Sequence, residues 1–241
     1  MDFSHTADYH RLEVALSDRT RSLFSLEAEI ITFKPKPLSD FAAMAAAMKT
    51  NFRKLNPDMS EDSLNNFVDS QVELEASEKI QFNVAFSDRL VSEGAQITLL
   101  SHALCEALIN AIIAIGLSSS KKEDIFSLVE KSEIKEKWLK GPKIFHTEYN
   151  FPKGDLLYET LSTLTRRRNN LVHHKITLES EGKTLIKGSK EAILTFSDEI
   201  KLLKRFCHLP YDLQKFAALQ IKGPPISGIL HDAWTRATPI T

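Results

Sequence analysis

The chain is poor in the residues that break helices and in those that staple small folds. It holds only 8 glycines and 9 prolines in 241 residues, too few for the closely spaced turns of an all-β domain. Its two cysteines, Cys105 and Cys207, form no pair at metal-ligand spacing and lie in apolar helical patterns. That predicts buried free thiols in a reducing, cytoplasmic setting, not a disulfide framework. No phosphate-binding glycine loop, dinucleotide fingerprint or zinc-ligand spacing occurs, so no metal and no cofactor is expected. The opening Met1-Asp2-Phe3-Ser4-His5 lacks the basic and apolar regions of a secretory signal. The first 94 residues hold no low-complexity tract, repeat period or catalytic motif.

Long apolar runs are scarce too. The one extended stretch, Ile97 to Leu117, is interrupted by His102, Glu106 and Asn110. A charge at the centre of a membrane span costs about 2.5 to 3.5 kcal/mol, so the stretch is expected to be a buried helix and not a membrane anchor.

What is present favours helices. A content of 42% hydrophobic and 26% charged residues suits a globular protein in water, and the abundance of Leu, Ala, Glu and Lys suits an all-α one. Residues 1–100 carry 10 basic against 16 acidic side chains, a net −6, whereas residues 101–241 carry 21 against 16, a net +5. A polyanion would therefore meet the C-terminal part first.

Along the chain, Leu12, Leu16, Leu23, Leu26 and Ile30 mark a helix over 6–32, broken by Lys34-Pro35-Lys36-Pro37. Ser39 or Asp40 is expected to cap a second helix, Phe41 to Leu55. A third runs from about Glu61 to Val91, with Leu64, Phe67, Val68, Val72, Ile80, Val84 and Leu90 inward and Gly94 as its stop. The expected organisation is a helical N-terminal region over 1–94 packed on a helical domain over 95–222, with an irregular tail over 223–241.

In the helix Ile97 to Leu117, His102, Glu106 and Asn110 recur every fourth residue and so share one stripe. Such a stripe either faces water or meets polar partners, because an unpaired buried carboxylate costs several kcal/mol. Both readings stand: a solvated edge, or the wall of a cleft. Gly116 is expected to end this helix, and Ser120 to Glu123 has capping-box spacing for a helix from Lys121 to about Lys131. A short helix, Glu133 to Lys140, carries Trp138. Gly141-Pro142 should stop it, before a loop anchored by Phe145, Tyr149 and Phe151.

Asp155 should start the next helix, which leads into the densest chemistry of the chain, Thr165-Arg166-Arg167-Arg168-Asn169-Asn170-Leu171-Val172-His173-His174-Lys175. At about 100° per residue, Leu157, Leu161, Leu164, Leu171 and Val172 all fall within about 60° of Arg168, which therefore shares the apolar face. Arg166 and Arg167 point elsewhere, as solvated charges. An arginine on an apolar face needs matched acceptors, and Glu106 is a candidate. His173 is rotated by about 140° and displaced by about 7.5 Å from Arg168 in an ideal helix, so one groove holds both only through helix distortion or a second subunit. Beyond it, Ile176 to Ile186 fits a small β-hairpin. Ser189 is expected to cap a helix to Cys207, and Pro210 to precede a last one, Tyr211 to Ile221.

The segment Arg168-Asn169-Asn170-Leu171-Val172-His173 resembles the signature of HEPN domains: an arginine, a polar residue directly after it, and a histidine four intervening residues on. Leu171-Val172-His173-His174-Lys175 is similar to the continuation in prokaryotic members. Glu106 and Asn110 on an apolar helix, then Lys137-Trp138 and Pro142, resemble the spacing of an uncharacterised branch. The likeness covers roughly residues 97–178. It implies a HEPN-like helical bundle, with extra N-terminal helices here, often dimeric with the motif at the subunit groove.

The resemblance implies a metal-independent endoribonuclease, in a toxin–antitoxin or phage-defence setting, with RNA as substrate and an antitoxin protein as a further partner. His173 suits moving the 2′-hydroxyl proton and Arg168 suits stabilising charge on the phosphate. Asn169 would orient the histidine or the phosphate, and Glu106 would hold Arg168 or join the proton transfer. His102, Asn110, His174 and Lys175 would line the substrate groove. Some family members lack nuclease activity and bind a nucleotide, RNA or a protein partner instead. An Arg and a His at a helix end also serve simply as partners of its C-terminal carbonyls.

Overall fold

The computed structural model describes residues 4–172 and 195–221. The expected hairpin, the Ser189 cap, His173, His174, Lys175 and the tail after 221 lie outside the described residues. Within them the chain is all-α, with no strand: α1 Ser4–Thr32, α2 Ala42–Leu55, α3 Glu61–Ala76, α4 Glu78–Ser119, α5 Phe126–Glu130, α6 Ile134–Lys140, α7 Leu156–Val172 and α8 Phe196–Gln220. Short 3-10 turns precede α2 and α5 and follow α6.

These elements form two compact units, one from the described parts of Met1–Leu23 and Glu93–Thr241, the other from Phe24–Ser92. The smaller unit has its own core. Leu64, Val68 and Val72, one stripe of α3, pack against Phe41, Met44, Met48, Phe52 and Phe67. Ser60 caps α3 by accepting the Ser63 N–H. The expected Ser39 or Asp40 cap of α2 does not form: a 3-10 turn, Leu38–Phe41, leads directly into the helix, and the Ser39 hydroxyl donates to Asp40 instead.

The larger unit is built on the second half of α4. Leu104, Cys105, Ile109, Ile112, Ile113 and Leu117 are almost fully enclosed, as are Leu161 and Leu164 of α7 and Leu203, Phe206 and Leu213 of α8. Cys105 and Cys207 are free and buried, and burial pushes both thiols up. Among the described residues one helix, α4, is long and apolar enough to cross a membrane, and half of its most apolar window is buried within the protein.

Three expected breaks are not breaks. Gly94 lies inside α4, where Phe86, Leu90 and Ile97 continue one buried face across it. A helix-interior glycine costs about 1 kcal/mol, which packing on both sides outweighs. Val84 is exposed for the same geometric reason, since two residues from Phe86 means about 200° around the helix. Pro210 is likewise internal to α8, held between the buried Phe206, Leu209 and Leu213. Gly116 does not end α4, which runs to Ser119 and turns at Lys121 with φ 55°. The capping box also fails, because the Ser120 hydroxyl donates back to the Gly116 carbonyl at 2.8 Å, and a 3-10 turn starts at Glu123 in place of a helix at Lys121.

Candidate functional site

Two glycines let the α6 segment approach α4. A Cβ on Gly116 would lie 2.3 Å from the Phe145 ring, and one on Gly141 would lie 2.4 Å from Ile113 Cδ1. With that close approach, the Trp138 indole N–H reaches the Cys105 carbonyl of α4 at 3.3 Å, and the Tyr149 hydroxyl donates to the Trp138 carbonyl at 2.9 Å. Both rings are buried. Phe151 packs on Trp138 and edge-on to Phe216 of α8, so the expected aromatic anchors hold the loop between α6 and α7.

This scaffold fixes Lys137, which follows Ile134 by three residues and precedes Trp138 on the buried stripe of α6. Its side chain is 1% exposed, and its Nζ donates to Glu106 Oε1 at 2.9 Å. Sequence reasoning passed over this residue except as part of a spacing. The signal was a lone cation on an apolar stripe.

Lys137 meets one of the expected residues directly, Glu106, and through it a second, His102. Glu106 is part-exposed, and its second oxygen lies 4.0 Å from Nδ1 of His102, one turn earlier on α4. His102 is buried, and burial holds its imidazole below the ordinary histidine range. Glu106 opposes that shift, while the Arg168 and Lys137 cations add to it. Arg168 of α7 is thus close enough for its charge to bear on the α4 stripe. On the stripe, Glu106 stays part-exposed and meets a partner from α6, while Arg168 of α7 acts on His102 through its charge. Asn110, the third member, is half-buried, and its Oδ1 accepts no hydrogen bond from the described residues.

On α7, Asp155 Oδ1 accepts the Leu157 N–H at the helix start, and Thr160, Leu161, Leu164 and Thr165 form the buried face that Arg168 continues. Arg168 donates to Asn169 Oδ1 at 3.1 Å, and Glu106, expected as its carboxylate, bonds Lys137 instead. Leu171 and Val172, expected on the same apolar face, are 45% and 49% exposed, so the enclosed part of the helix ends near Arg168. Arg167 is not a solvated charge. It grips Glu199 of α8 with both terminal nitrogens, at 2.5 and 2.7 Å, and its guanidinium lies over the Phe206 ring, 6.0 Å from the ring centre. Arg166 is exposed. His173, His174 and Lys175 follow the last described residue of α7.

The group comprises a carboxylate, an imidazole and an enclosed lysine, with the charge of the half-buried Arg168 acting on the imidazole. It can hold a phosphate and order a proton-transferring ring. Among the described residues no three His, Cys, Asp or Glu side chains converge as a metal site. No protein-family model, curated protein or solved structure matches this chain.

Proposed function

We propose that this protein is a HEPN-type endoribonuclease that cleaves RNA without a metal ion, acting as a cytoplasmic homodimer in a toxin–antitoxin or phage-defence setting. One observation carries the reading: the arginine of the Arg-Asn-x-x-x-His segment bears on the His102–Glu106 stripe of α4, around a lysine shut away from water. Burying a lysine costs several kcal/mol before compensation, and a well-packed apolar residue of similar volume would serve stability as well or better. A field at that point therefore supports a charged ligand. Arg168 would take the charge that develops on phosphate, Asn169 would brace Arg168, and His173 would supply acid–base chemistry.

The pairing of Glu106 with Lys137 favours a second reading, a non-catalytic module that holds a nucleotide, RNA or an acidic partner. A carboxylate satisfied by lysine leaves the charge of Arg168 to a ligand, which suits binding without turnover. Incubating the purified protein with single-stranded RNA in EDTA separates the two. Cleavage that disappears in Arg168→Ala and in His173→Ala supports the nuclease; intact RNA at high protein concentration leaves the binding module.

A further inference from the structure

A carboxylate with one oxygen on a buried lysine and the other toward an imidazole is an aiming device. Glu106 gives Oε1 to Lys137 and turns Oε2 toward His102 Nδ1. A carboxylate opposite Nδ1 selects the tautomer that leaves Nε2 as the acceptor nitrogen, and it steadies the ring when it takes a proton. One tenth of the His102 side chain is open to solvent.

Resting on the ribonuclease reading, we propose that His102 is a catalytic residue, the group that takes the 2′-hydroxyl proton of RNA, and that Lys137 is a positioning residue that aims it through Glu106. His102 Nε2 takes the proton from the 2′-oxygen, whose electron pair attacks phosphorus. The bond from phosphorus to the 5′-oxygen breaks, and that oxygen takes a proton from water. The products are a 2′,3′-cyclic phosphate and a 5′-hydroxyl, with no redox change. The charged groups that face His102 are Glu106 on α4, Lys137 on α6 and Arg168 on α7. Two cations against one anion, together with burial, keep the ring neutral and ready to accept.

The test follows the His102 imidazole by NMR through a pH titration, beside the pH profile of kcat/KM on a short RNA. Lys137→Met removes a cation and leaves Glu106 wholly to the imidazole, so the titration and the acid limb of the profile both move to higher pH. Glu106→Gln moves both to lower pH, and it carries the test alone should Lys137→Met fail to fold. His102→Gln lowers kcat/KM by about 100- to 10,000-fold. An acid limb that stays in place while the His102 titration moves, or a His102→Gln protein that cuts at the wild-type rate, overturns the inference and leaves the ribonuclease reading standing. RNA left whole by the wild-type protein overturns both.

Discussion

Arg167 and Glu199 tie α7 to α8 through two parallel hydrogen bonds at 2.5 and 2.7 Å, with both side chains less than one fifth exposed. The adjacent Arg168 makes its bond to Asn169, and its charge bears on His102 of α4. Neighbours in sequence thus differ, one tying two helices together and the other making no such tie among the described contacts.

The two arginines should separate by experiment. Arg167→Ala leaves the enclosed Glu199 carboxylate without its partner and is expected to cost about 1.5 to 3 kcal/mol in urea unfolding, with cleavage by the folded protein unchanged. Arg168→Ala should shift stability by less than about 0.5 kcal/mol yet abolish cleavage. Equal stability losses in the two variants would contradict this division.

The glycines of the larger unit differ in the same testable way. Alanine at Gly116 or Gly141 drives a methyl into Phe145 or Ile113 and should cost about 1 to 3 kcal/mol through overpacking. Gly94 offers ordinary contact distances of 3.5 Å to Glu199 and Leu203, so Gly94→Ala should stabilise α4 by about 0.5 to 1 kcal/mol. Shortening the ring with Phe145→Leu should recover part of the loss in Gly116→Ala. Thermal melts of the four proteins decide it.

Periodicity reads well where one face of a helix is buried. The α3 stripe, the apolar half of α4 and the polar run His102, Glu106, Asn110 were all legible from spacing. Arg168 follows the inner face of α7 as a half-buried residue, but Leu171 and Val172, expected beside it, are exposed. Punctuation was less legible: Gly94 and Pro210 are breakers by local preference, but each lies in a helix whose buried residues continue on both sides, and tertiary packing overrides propensity. Partners were the least legible. That Arg167 meets Glu199, thirty-two residues on, and that Glu106 meets Lys137, thirty-one residues on, depends on which helices pack together. One sequence carries no signal for that beyond a charge at an apolar position.

Stability should fall on the acid side partly because of His102. Its folded pKa lies below the ordinary value, so around and below that value the unfolded chain binds the proton more readily. The contribution is fully present above about pH 6.5 and is lost as pH drops through the folded pKa. His102→Gln, which cannot titrate, should lose less stability between pH 7.5 and pH 5 than the wild type, read as the urea midpoint at each pH. An equal loss in both proteins would show that protonation of His102 is not what the fold resists.

Trp138 offers the sharpest check on how the scaffold serves the site, because it touches the site solely through its neighbour. Trp138→Phe removes the indole donor to the Cys105 carbonyl and part of a fully buried ring, and should cost about 1 to 3 kcal/mol. Tyr149→Phe removes the hydroxyl bond to the Trp138 carbonyl and should cost about 1 kcal/mol. If α6 holds Lys137 against Glu106 through these two bonds, both variants lower kcat/KM on RNA under conditions where they remain folded, Trp138→Phe the more. Their acid limbs should shift toward higher pH, as in Lys137→Met, because a displaced lysine leaves Glu106 to His102. A Trp138→Phe protein that is less stable yet keeps the wild-type pH profile would mean that Lys137 finds Glu106 without the indole, and that α6 is held in place by its apolar contacts with α4 and α7 alone.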